Sequence, residues 1–342
     1  MSATRDVRAE LLEFAWDQWA QMGLLAEPRH SVRWVMDPEA LVVLTFDVAR
    51  ADPRLFDEVL DWLWINGRLI SVQRLRNLSR VDPLLERIIS AALAWVSTTG
   101  GAIKLPAGAR TPRPTDDEPL FVVDGHPLRV ASPDPSFAQF GLVRSVVKRG
   151  ARSRRPDLST PINLAFRLRL LFGVGSRAES VRCLLTDPRS ELSVADVAEI
   201  AGYAKRNVAD ALAALTSAGV VAERTHRNGL MYRLQHDRWS EFLDLDTDAL
   251  QPSPNWPALL RALLGIESWI AATSVDLSDQ LRASRARDLI DLIGPALSAA
   301  GIALPPANPP GAAYLDGFWH CVDDTLARLT VPVALNARTT NS

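Results

Sequence analysis

The 342 residues are 47% hydrophobic and 23% charged, with a formal net charge of −2. That apolar content excludes a disordered or fibrous chain and, at roughly 100–200 residues per domain, provides for two or three domains. The longest charge-free stretch, Leu292 to Leu315, is interrupted by Pro295, Pro305, Pro306, Pro309 and Pro310, which excludes a lipid-spanning helix there. The opening residues mix both charges and lack an apolar signal core, and Cys183 and Cys321 lie too far apart to suggest a disulfide framework. A cytoplasmic protein without membrane association is expected.

Charge is distributed unevenly. Residues 1–140 hold 15 basic and 19 acidic side chains, residues 141–240 hold 17 and 9, and residues 241–342 hold 6 and 12. A positive centre between acidic flanks fits one polyanion-facing surface, and fits equally an incidental basic segment.

The first hundred residues read as helical. Leu11, Leu12, Ala15, Trp16, Trp19 and Met22 recur at three- and four-residue steps, and Gly23 stops the run. Asp37-Pro38, Asp52-Pro53 and Asp82-Pro83 each combine a capping carboxylate with proline at the first helical position, opening helices that end near Val48, Gly67 and Val96. Residues 1–98 are therefore expected to form a helical bundle. Seven prolines and four glycines then interrupt Gly100 to Pro135, around a hairpin signal at Asp124-Gly125. Residues 99–160 read as a linker containing that hairpin and a basic run: Lys148, Arg149, Arg152, Arg154 and Arg155. The run reads either as a solvated tether or as an arm lying along nucleic-acid phosphates.

Residues 193–212 read SVADVAEIAGYAKRNVADAL. Ser193 with Asp196 forms a capping-box pattern, Gly202 ends the first short helix, and a second is expected from about Ala204 to Ala218. Two helices joined by so tight a turn cross steeply, which requires a small residue at the crossing and a residue that tolerates positive φ in the turn. Ala198 and Gly202 meet those demands, and Val208 plugs the angle. Two β-type runs follow around Asn228-Gly229.

Small residue, glycine at plus four, β-branched residue at plus ten and a following hairpin resemble the winged helix-turn-helix of bacterial transcriptional regulators, over about residues 161–240. The resemblance implies a mainly α protein in which a helical N-terminal domain and a helical C-terminal segment, residues 241–342, flank a central winged helix. It implies a second helix in the major groove of double-stranded DNA, with Ala204, Lys205, Arg206, Ala209, Asp210 and Ala213 outward and Asn207 beside them. Lys205 and Arg206 would donate to guanine, Asn207 would pair with adenine, and Asp210 would either face the DNA or orient Arg206. Arg224, His226 and Arg227 would lie at the tip of the wing, suited to phosphate or minor-groove contact, and Arg233 reads as solubility charge. A nucleoid-associated homodimer is expected, because one recognition helix reads few base pairs. The outer parts would dimerise, sense a small-molecule effector or dock a partner protein.

Two other readings belong to different classes. A helical pair plus hairpin also serves protein interaction alone, as in an antitoxin or defence-system module. The string LFGVGSRAE is similar to the glycine-serine loop of minimal nucleotidyltransferases, but the acidic-x-acidic pairs Asp244, Asp246 and Asp248 lie about seventy residues on, so a metal-dependent nucleic-acid-processing enzyme would have to assemble its Mg²⁺ site from distant carboxylates. No cofactor, metal site or catalytic residue is expected. Helices over 256–272, 277–299 and 311–329 are predicted for the C-terminal part, with Trp256, Trp269 and Trp319 in its core.

Overall fold

The computed structural model describes residues 6–27, 34–105, 116–150, 152–226, 229–247, 250–273 and 277–329. These form a mainly α protein of fourteen α-helices and seven short strands. None of the described helices is long and apolar enough to cross a membrane. The chain divides into two compact units, Met1–Glu179 and Ser180–Ser342.

The first unit opens with α1 (Val7–Gln21), α2 (Pro38–Val48), α3 (Pro53–Asn66), α4 (Val72–Ser79) and α5 (Pro83–Thr98). Asp37, Asp52 and Asp82 accept the first-turn N–H groups of Ala40, Leu55 and Leu85, each beside its proline. These caps satisfy donors that a helix cannot satisfy internally, which is why the Asp-Pro pairs mark the helix starts. Helix α2 is buried on all sides from Pro38 to Phe46, as expected of a helix that is apolar all round. Trp19 and Trp62 meet edge to face at 5.0 Å, their indole N–H groups donating to Thr45 Oγ1 and the Met22 carbonyl.

Strands β1 (Glu118–Pro119), β2 (Val122–Val123), β3 (His126–Pro127) and β4 (Leu142–Val143) and the short α6 (Pro135–Ala138) follow. β2 and β3 form the expected hairpin, with Asp124 and Gly125 at positive φ. Where composition reads as a linker over 99–160, residues 116–150 and 152–160 belong to the first unit. Leu120, Phe121, Phe137, Phe140 and Leu142 are buried. Arg144 lies 5.1 Å from the Phe121 and Phe137 ring centres and grips Asp57 through two hydrogen bonds of 2.7 and 3.1 Å. Prolines and glycines here remove regular structure without removing packing, since the apolar side chains between them still gain about 25 cal/mol per Å² on burial.

The basic run is likewise not a free tether. Asp61 Oδ2 accepts the main-chain N–H of Arg152 and Ser153, the Arg154 N–H donates to the Gly23 carbonyl at 2.8 Å, and Asn66 Nδ2 donates to the Arg154 carbonyl at 3.0 Å. Gly23 has φ +107°, and a Cβ there would sit 2.7 Å from the Arg154 carbonyl oxygen. Gly23→Ala is therefore expected to lower stability by roughly 1–3 kcal/mol, through a disfavoured φ and a displaced strap. A reduced denaturant midpoint at unchanged slope would verify this; an unchanged midpoint would refute it.

Helix α7 (Leu164–Phe172) closes this unit, so residues 161–179 belong to it rather than to a separate domain beginning at 161. Its Arg169 enters a charge network that the sequence reading did not single out. Arg169 donates to Glu39 at 2.7 and 2.8 Å, to Glu179 at 2.6 and 3.1 Å and to the Leu69 carbonyl at 2.7 Å. Arg74, in α4, bonds Asp37 and, at 2.7 Å, Glu39, whose other oxygen accepts the Ser71 N–H. All five charged side chains are buried. Burial alone would lower the arginine pKa values, but the adjoining carboxylates outweigh it and raise both.

Helix α8 (Ser176–Thr186) crosses the division. The second unit continues with β5 (Leu192–Ser193), α9 (Val194–Ala201), α10 (Lys205–Ser217), β6 (Ala222–His226), β7 (Gly229–Arg233), α11 (His236–Leu243), α12 (Trp256–Thr273), α13 (Asp279–Ala299) and α14 (Tyr314–Ala327). Its antiparallel sheet has the order β5-β7-β6. Trp256 and Trp269 are buried and Trp319 is half-buried; the Trp269 and Phe318 rings lie 4.6 Å apart.

Candidate nucleic-acid interface

The α9–α10 pair is built from local chemistry. Ser193 Oγ accepts the Asp196 N–H at 3.2 Å, while Asp196 Oδ2 accepts the Ser193 N–H at 2.9 Å, completing the capping box. Arg189 ties this cap to the preceding loop, bonding Asp196 at 2.7 Å and Asp187 at 2.9 and 3.0 Å. Burial alone would raise the Asp196 carboxyl, but hydrogen bonds from Ser193 and the Arg189 guanidinium hold it below its ordinary value. A depressed carboxyl pKa contributes stability that is complete above the unfolded value of about 3.9 and is lost as pH falls through the lower folded value. Asp196→Asn is accordingly expected to lower the denaturant midpoint more at pH 6 than at pH 3. Equal deficits at both pH values would show that the ionised cap contributes nothing.

Gly202 ends α9 in the left-handed conformation, φ +68° and ψ 30°, and its N–H donates to the Ala198 carbonyl at 3.0 Å. Ala198 and Val208 are buried, so the crossing has the small residue and the plug that its geometry requires. Val208, Ala211, Leu212 and Leu215 form the inner stripe of α10.

The outer edge of α10 is open. Ala204, Lys205, Arg206, Asn207, Asp210 and Ala213 are exposed, while Ala209 is half-buried. Among the described residues, the side chains of Lys205, Arg206, Asn207 and Asp210 have no hydrogen-bond or ion-pair partner, so Asp210 does not orient Arg206. Ala204 occupies the N-cap and offers no side-chain acceptor, unlike the Asp and Ser caps of α2, α3, α5 and α9. The first-turn N–H groups of α10 therefore face outward uncapped, at the end of the helix where the dipole favours an anion. Sequence reasoning passed over this feature, although an alanine where neighbouring helices place Asp or Ser is visible in the chain.

The hairpin departs from expectation in two respects. Its ladder closes at His226 and Gly229, which makes Gly229 a strand residue; Arg227 and Asn228 lie outside the described residues. Arg224 lies within β6, opposite Met231, and not at the tip. Its guanidinium grips Glu191 at 3.1 and 2.5 Å, and this bond holds the Glu191 carboxyl below its ordinary value. By strand alternation Arg224 shares a face with His226, which is exposed, as are Leu230 and Arg233.

The five cations of the basic run, Lys148, Arg149, Arg152, Arg154 and Arg155, are exposed on the first unit.

No family model, curated protein or solved structure matches this chain.

Proposed function

We propose that residues 176–233 form a winged helix-turn-helix that binds double-stranded DNA sequence-specifically, and that the protein is a transcriptional regulator acting as a homodimer at the nucleoid. The order helix, strand, helix, helix, hairpin supports this reading, with the strand ahead of the helix pair closing the sheet against β7. The observation that carries it is the N-terminal edge of α10: two cations and an amide, exposed and without partners, around uncapped main-chain donors.

Each group then has a role fixed by its chemistry. The first turn of α10 enters the major groove, where Arg206 donates in fork geometry to guanine O6 and N7 and Lys205 donates as a point charge. Asn207 offers the donor and acceptor that match adenine N7 and N6. The uncapped N–H groups and a ring N–H of His226 donate to phosphate oxygens, which sets the register without reading sequence. Arg224 reaches DNA only by exchanging Glu191 for a phosphate, so its contribution is smaller than that of a free arginine.

A mobility-shift series with duplex DNA over increasing salt tests the reading. Binding to DNA should weaken with a log–log slope of about −0.9 per phosphate contact. Salt-independent affinity, or no binding at low salt, would favour a module whose partner is a protein.

A further inference from the structure

We infer that residues 148–155 form a second nucleic-acid contact on the first unit, a preorganised ledge for the phosphates of a duplex that does not depend on the α9–α10 reading. Lys148, Arg149, Arg152, Arg154 and Arg155 supply five positive charges, and residues 145–156 contain no acidic side chain. All five are exposed, and among the described residues none forms an ion pair. Two carboxylates beside the run accept other donors. Asp61 accepts main-chain N–H groups of Arg152 and Ser153, and Asp157 accepts the N–H and hydroxyl of Ser159 at 2.9 and 2.7 Å.

The main chain over 152–154 is held while the cations stay exposed: Asp61 accepts the Arg152 and Ser153 N–H groups, the Arg154 N–H donates to the Gly23 carbonyl, and Asn66 Nδ2 donates to the Arg154 carbonyl. The Arg149 guanidinium lies 4.3 Å from the Trp64 ring centre, stacked but still exposed. A disordered basic tail loses chain entropy when it binds, whereas a strapped one has already done so. Eight residues span at most about 25–29 Å, roughly seven or eight base pairs at about 3.4 Å each, so the run is no longer than one short stretch of duplex. The positive charge of these side chains attracts phosphates irrespective of sequence.

The experiment uses the full chain and a random-sequence duplex, with fluorescence anisotropy read across a salt series. Three proteins are compared with the wild type: all five cations changed to glutamine, the four arginines changed to lysine, and Arg206→Ala. Because the strap is held mainly through main-chain atoms, with the Arg149 contact to Trp64 the one side-chain interaction given up among the described residues, the changes should move the thermal midpoint by only a few degrees. The glutamine variant should have a log–log slope less negative by about 4.5, since each of the five lost phosphate contacts removes about 0.9. The lysine variant should restore the wild-type slope, because charge and not fork geometry is what the ledge supplies. Should five glutamines prove unstable, Lys148→Gln with Arg155→Gln should still reduce the slope by about 2. A folded glutamine variant with the wild-type slope would overturn the inference, as would a wild type that binds no duplex. Arg206→Ala separates the two readings. If it leaves both sequence preference and random-duplex binding intact while the glutamine variant loses the latter, the ledge stands and the α10 reading falls.

Discussion

Arg169→Ala is expected to destabilise the first unit by about 3–5 kcal/mol, the range for removing one partner of a buried ion pair. The substitution leaves Glu39 and Glu179 buried and removes all four hydrogen bonds that this guanidinium makes to three of their oxygens. It also strips the Leu69 carbonyl of its donor. For a unit of this size a loss of 1 kcal/mol shifts the melting midpoint by roughly 2–4 °C, so a fall of about 6–20 °C should be seen by calorimetry. Arg169→Lys should recover only part of it, because an ammonium cannot present the planar fork that serves two carboxylates and a carbonyl at once. A midpoint within 2 °C or so of the wild type for the alanine variant would mean that water reaches the network and that these charges are not desolvated.

The second large effect concerns recognition. Arg206→Ala should cost about 1–3 kcal/mol of affinity for the specific site, a factor of roughly 5 to 150, while affinity for random duplex changes little. The difference follows from what the residue contacts. An arginine aimed at base edges contributes where the matching guanine is present, whereas a phosphate contact contributes everywhere. Truncation leaves the helix itself intact, because Arg206 is exposed and the inner stripe of α10 does not include it. Competition titrations with the selected site and with random duplex measure both terms; equal losses on the two DNAs would make Arg206 a phosphate ligand.

What the chain reveals by itself follows the range of the interactions involved. The Asp-Pro starts of α2, α3 and α5 and the capping box of α9 are legible because donor and acceptor lie within three residues. The α9–α10 turn is legible for the same reason: Ala198, Gly202 and Val208 are neighbours in one short segment. Long-range pairings leave no such trace. Asp37 reads as a helix cap, and only the fold brings it to Arg74; Glu39 sits in an apolar run with nothing nearby to announce Arg169. The Pro- and Gly-rich stretch reads as a linker because the partners that make Arg144 and Arg152 structural, Asp57 and Asp61, lie about ninety residues away. Arg224 reads as a free wing cation until Glu191, just ahead of β5 on the opposite edge of the sheet, is found to pair with it. The bare N-cap at Ala204 is the reverse case, a local signal that a search for favourable caps overlooks.

Selection of bound sequences from a random duplex pool, run in parallel with the wild type and Arg206→Ala, bears most directly on the proposal that the α10 edge reads DNA. The proposal predicts an enriched, two-fold symmetric site containing guanine in each half, and relaxation at that guanine alone in the variant. Pools from both proteins that stay random, or that enrich one identical site, would contradict it.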